Sequence, residues 1–135
     1  MQVQSRGSAA GARQRLDLEM PAASGLLTDV RSALAELSVP LPVLDDARLL
    51  VSELVANSVR HARIGPDETI RVTAEVQNGR LRVDVIDGGS GSGPPVAGGI
   101  RPSPGSESGW GLFLVETLAT RWGHATGRYW FELEI

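Results

Sequence analysis

The stretch LDDARLLVSELVANSVRHA, residues 44–62, is the most strongly patterned part of this 135-residue chain. Leu44, Val51, Leu54, Val55 and Val59 fall at helical spacing and form one apolar face, so a long amphipathic helix is expected. Asp45 and Asp46 are expected in its first turn, at the positive end of the helix dipole. Glu53, Asn57 and His61 follow one edge of the same helix at i, i+4 and i+8, within roughly 80° of each other. Asparagine is a poor residue for a helix interior, and of the chain's two asparagines only Asn78 is explained by a turn. Two readings of the stripe stay open. Either it is the solvated face of the helix, or it sets a carboxylate beside an amide oxygen, a pair suited to orienting a nucleophile and holding a hard cation such as Mg2+. His61 alone reads as a packing or hydrogen-bonding residue.

Upstream, residues 1–14 show neither helical nor strand periodicity and read as a disordered tail. Arg15 to Met20 alternates Leu16 and Leu18 with charged residues and reads as a strand. Leu26, Leu27, Val30, Leu34 and Leu37 recur at helical steps over 22–37, and the prolines at 40 and 42 are expected to stop that helix. Downstream, IRVTAEVQNGRLRVDVID (70–87) is two alternating runs around Asn78-Gly79, a type I′ hairpin signal. Residues 88–108 are rich in glycine and proline, a long segment of the kind that is functional or disordered. Helical spacing returns from Trp110 to Trp122, and Arg128 to Ile135 alternates as a closing strand. The expected fold is α/β in the α+β sense: a two-layer α/β sandwich, with a mixed or antiparallel sheet covered on one face by helices. The other face is left open to a partner.

Composition removes several function classes. At 41% hydrophobic and 21% charged residues the chain is a globular domain rather than a disordered one. All thirteen basic residues are arginine, so chemistry that needs lysine on a phosphate or in a Schiff base is excluded. Without cysteine there is no disulfide, thiolate nucleophile or Cys-based zinc site, and two histidines are too few for a structural metal cage. A net charge of −3 argues against a nucleic-acid partner. No stretch reaches the length of a membrane span, so a soluble, cytoplasmic protein with no membrane partner is expected. The all-arginine, asparagine-poor composition points to a GC-rich bacterial genome.

Two glycine clusters flank the long segment. Asp87-Gly88-Gly89-Ser90-Gly91 follows the second hairpin strand. As a plain β-turn it is unremarkable. Its glycines also let a ligand approach the backbone, and an aspartate at a strand end can accept a hydrogen bond from an amino group. Ser108-Gly109-Trp110-Gly111-Leu112 opens the next helix, where free N–H groups and the helix dipole favour phosphate.

The order of these features is more specific than any one of them: Glu-x3-Asn on a helix, Asp-x-Gly-x-Gly after a strand, a glycine-rich lid at 88–108, then Gly-x-Gly-Leu at a helix start. The succession resembles the ATP-binding fold of the gyrase, Hsp90, histidine-kinase and MutL superfamily over about residues 15–135. With VSELVANSVRHA (51–62) and the terminal WFEL (130–133), the chain is most similar to the bacterial anti-sigma-factor serine kinases. The resemblance implies ATP and Mg2+ as cofactors. It makes Asn57 the Mg2+ ligand, Glu53 the general base and Asp87 the acceptor for the adenine amino group. Gly89 and Gly91 would shape the adenine pocket and the start of the lid, and the run Gly109-Trp110-Gly111-Leu112 would bring helix N–H groups to the phosphates. Arg60 and His61 fall where relatives place a phosphate-facing or packing side chain. Arg101, the only basic residue of the lid, would neutralise the γ-phosphate with Mg2+ and backbone donors. Relatives tend to have a Gly-Lys-Thr-like run in the final strand, whose Thr helps to close the adenine pocket; here the run is Gly127-Arg128-Tyr129-Trp130. The function implied is an anti-sigma factor and serine/threonine protein kinase. Its partners would be a sigma factor and an anti-sigma-factor antagonist with a STAS-like domain, and a homodimer is open. The alternative is a catalytically silent, nucleotide-gated protein-binding module.

Overall fold

The computed structural model describes residues 2–6, 13–23, 25–62, 68–87, 110–125 and 127–135. Six strands among them form one sheet: β1 (Gln2–Arg6), β2 (Gln14–Pro21), β3 (Thr69–Gln77), β4 (Arg80–Ile86), β5 (Arg121–Ala125) and β6 (Arg128–Glu134). Their order is β1-β2-β3-β4-β6-β5, with every neighbouring pair antiparallel. Three helices complete the fold: α1 (Leu26–Leu34), α2 (Leu41–Ala62) and α3 (Trp110–Leu118).

The alternating residues decide which face is covered. Leu16, Leu18 and Met20 of β2, Ile70, Val72 and Ala74 of β3, Leu81, Val83 and Val85 of β4, and Tyr129, Phe131 and Leu133 of β6 are all buried in one core. Val30 and Leu34 of α1, Leu50, Val51, Leu54 and Val55 of α2, and Val115 of α3 fill the same core. The result is the two-layer sandwich. Leu16 and Leu18 are fully buried, and each such side chain contributes about 2 kcal/mol. Between them Asp17 accepts two hydrogen bonds from Arg71, at 2.9 and 2.5 Å. An ion pair this open to solvent contributes at most about 1 kcal/mol. The core, then, holds β2 in register.

Local chemistry sets the connections. Asn78 (φ 54°) and Gly79 (φ 72°) join β3 to β4 with both φ values positive, as a type I′ turn requires. Other boundaries differ from the sequence expectation. Pro42 does not separate the helices but lies in the first turn of α2, where a missing N–H leaves no intrahelical bond unmade. The helix therefore starts at Leu41, and its first turn holds no acidic residue; Asp45 and Asp46 come later. Arg121 and Trp122 belong to β5 rather than to α3, because Trp122 pairs with Phe131 and the Thr120 N–H donates to the Glu132 carbonyl at 2.8 Å. Gln2–Arg6, within the expected tail, forms β1 by backbone pairing with β2, which needs no hydrophobic pattern.

The face of the sheet that no described helix covers is laced with charge. Asp84 is buried there and accepts from Arg82 (2.9 and 3.2 Å) and from Arg128 (3.0 Å). The Arg82 guanidinium lies 4.3 Å from the centroid of the Trp130 ring. Gly123 stands opposite Trp130, and a Cβ on it would come within 2.7 Å of that ring.

Candidate functional site

Burial distinguishes the two readings of the polar stripe on α2. Asn57 is only 6% exposed, so it lies inside the fold and not on a solvated face. Its Nδ2 makes no hydrogen bond among the described residues, and neither does the buried Oγ of the adjacent Ser58. Buried polar groups are nearly always paired, so such an orphan calls for an explanation, and an absent ligand is one. Glu53, one turn earlier on the same side of the helix, is half-buried.

Asp87 follows the last residue of β4 and is 8% exposed. Its N–H donates to the carbonyl of Gly127 at 2.9 Å, which ties it to the β5–β6 turn. The same antiparallel register pairs Val85 with Tyr129. Because side chains alternate along a strand, Asp87 shares the inner face with Val85 and with Tyr129, its diagonal neighbour. Burial, first, and the Asp87 carboxylate, second, hold the Tyr129 phenol above its ordinary pKa, while the Asn57 amide acts the other way. Three elements thus bring an amide, a carboxylate and a phenol into one electrostatic neighbourhood: Asn57 from α2, Asp87 from the end of β4, and Tyr129 from β6.

These donors suit a hard cation that arrives with its own oxygen ligands. Asn57 offers an amide oxygen, and Glu53, one turn away on α2, offers a carboxylate. No group of three or more His, Cys, Asp or Glu among the described residues could hold a metal by itself. Mg2+ is bound in that manner, by one or two protein oxygens with phosphates and water completing the shell.

Of the other residues singled out from sequence, Arg60 and His61 fall in the last turn of α2, and Trp110, Gly111 and Leu112 are the first three residues of α3, which packs against α2. Gly89, Gly91, Arg101, Gly109 and the lid 88–108 lie outside the described residues. Sequence reasoning missed Tyr129 as a member of the neighbourhood. For Tyr129 a signal was present: the alternation of the closing strand turns it inward with Phe131 and Leu133.

One face of the sheet is covered by helices, with a buried amide on α2 and a buried carboxylate at the end of β4 between them. Over residues 19–127 the chain matches the histidine kinase-like ATPase domain, and it belongs to that family. A search of curated proteins finds no match to the chain. No helix among the described residues is long and apolar enough to cross a membrane.

Proposed function

We propose that this ATPase-family domain binds ATP with Mg2+ and is an anti-sigma factor and serine/threonine protein kinase. Its substrate would be a serine of an anti-sigma-factor antagonist with a STAS-like domain, and it would regulate transcription directed by the bound sigma factor. The observation that carries the reading is the burial of Asn57, with its Nδ2 unpaired, one helical turn from Glu53. Asp87, fixed at the end of β4 through its own N–H, supports it.

In this reading Asp87 accepts a hydrogen bond from the adenine amino group, and the N–H groups opening α3 face the phosphates. Asn57 holds Mg2+ through its amide oxygen. When bound, the cation neutralises developing charge on the phosphates. Glu53 accepts the proton of the attacking serine hydroxyl as the new O–P bond forms. The bond to the β-phosphate oxygen breaks and ADP leaves. Little covalent chemistry is asked of the protein, so position and electrostatics suffice.

Glu53→Ala is expected to abolish transfer of labelled γ-phosphate while ATP binding persists. Recovery of a sigma factor or its antagonist from source cells, with phosphoserine on the antagonist only under ATP, is the matching cellular result. Transfer that persists in Glu53→Ala overturns the role of Glu53. Nucleotide-dependent partner binding without phosphorylated product would favour the gated binding module.

A further inference from the structure

We infer that the face of the sheet opposite the helices carries a binding site for a phosphate monoester, built from Arg15, Arg71, Thr73 and Arg128. The site is a hollow of about 280 Å3 whose walls come from β2, β3, β4 and β6. Its shape follows from the register. Thr73 of β3 stands opposite Asp17 of β2 and Asp84 of β4, and the longer Arg71 and Glu75 flank it on the same face of its own strand. A short side chain among long ones leaves a depression. Asn57, Asp87 and Tyr129 belong to the helix-covered side, so this hollow is distinct from the ATP site and does not depend on the ATP reading.

Charge and free donors define what it would hold. Four arginines line the hollow against two carboxylates, in a chain whose net charge is −3. Both carboxylates are already engaged: Glu75 accepts from Arg13 at 2.7 and 3.0 Å, and Asp84 is shared between Arg82 and Arg128. Arg15 is exposed and makes no hydrogen bond or ion pair among the described residues, and the Thr73 hydroxyl makes no hydrogen bond among them. A guanidinium has five N–H donors. Arg128 commits Nη1 to Asp84, and Arg71 commits its Nε and Nη2 to Asp17, so both keep donors for a ligand. The framework is set in advance, because buried Asp84 fixes two of the guanidiniums and Arg82 also rests against the Trp130 ring. Less freedom is then lost when a ligand arrives. Guanidinium forks match phosphate and carboxylate oxygens alike. A phosphate monoester suits this hollow better, since its charge of about −2 and three acceptor oxygens answer a surplus of cations and a hydroxyl donor.

The test follows the arginine Nε–H and backbone amide signals of the full chain by NMR at constant ionic strength. The probes are inorganic phosphate, free phosphoserine, a phosphoserine peptide, and the same peptide with aspartate in place of phosphoserine. Saturable shifts are expected at Arg15, Arg71, Thr73 and Arg128 with the phosphate probes. Arg15→Gln and Arg128→Gln should each weaken that binding about ten-fold, the scale of a hydrogen bond between charged groups, while ATP affinity by calorimetry stays at the wild-type value. Arg15→Gln removes no hydrogen bond or ion pair among the described residues, so the variant is expected to fold. Equal affinity for inorganic phosphate and the phosphopeptide supports the site with a free small phosphate as its source. Tighter binding of the phosphopeptide supports it with a phosphorylated side chain of another protein. Shifts that do not saturate, or that chloride reproduces, overturn the inference, and so does unchanged affinity in Arg15→Gln. An aspartyl peptide bound as tightly as the phosphopeptide overturns the assignment to phosphate. Wild type that binds no ATP overturns the ATP reading alone and leaves these shifts as they are.

Discussion

Asp87 and Tyr129 share the inner face of the β4–β6 ladder as diagonal neighbours, with the offset set by the 2.9 Å bond from the Asp87 N–H to the Gly127 carbonyl. Burial and that carboxylate raise the phenol pKa above its ordinary value of 10.0. The corresponding contribution to stability is complete below pH 10 and is lost as pH rises through the folded-state value. Tyr129 is the chain's one tyrosine, so phenolate absorbance reads it alone. Its midpoint is expected above that of the urea-unfolded chain. A folded midpoint at or below the unfolded one would contradict the buried placement.

Asp87→Asn is expected to weaken ATP binding about ten-fold or more, the scale of a hydrogen bond to a charged group, 1.5–3 kcal/mol. Stability should change much less, because the anchor to Gly127 uses the backbone N–H, which asparagine keeps. Calorimetry with ATP and a thermal melt on the same samples separate the two effects.

Gly123→Ala would place a Cβ 2.7 Å from the Trp130 ring, against a side chain already held by Arg82 on the same sheet face. Overpacking of this kind costs about 1–3 kcal/mol, visible as a lower urea midpoint. Trp130→Leu in the same chain should recover part of the loss. Independent, additive losses in the double variant would show that the two residues do not meet.

Hydrogen bonds from Arg71 are the main reason that the Asp17 carboxyl titrates below its ordinary value of 3.8. A lowered folded-state pKa stabilises the protein above the unfolded value, and the stabilisation disappears as pH falls through the folded one. Because the pair is half exposed, the effect is at most about 1 kcal/mol. Wild type should be slightly more stable than Asp17→Asn in urea at pH 7. The gap should close below about pH 3.8 and narrow in high salt.

How far sequence reached can be seen residue by residue. Strands β2, β3, β4 and β6 were legible because burial of every second side chain leaves a period of two, and the Asn78-Gly79 turn because its φ values restrict composition. β1 was not, since an edge strand can be held by its backbone alone. The start of α2 was misplaced because Pro42 marks a helix end and a helix beginning equally well. Asn57 stood out as a polar residue in an apolar helix. Tyr129 did not, because its closeness to Asp87 depends on the register of two strands far apart in the chain, which spacing does not encode.

That register also bears on the order of assembly. β1 with β2, β3 with β4, and β5 with β6 are joined by short connections and can form locally. The β2–β3 and β4–β6 seams close only after α1 and α2, or α3 and β5, have been spanned. Long-range closures of this type slow folding, since chain entropy is lost before the contacts form. Asp87 and Tyr129 lie on opposite sides of the β4–β6 seam, as diagonal neighbours, so no fragment that ends before β6 can present both. Under the proposed role of Asp87, nucleotide capture would therefore report that the C-terminal half of the sheet has finished folding.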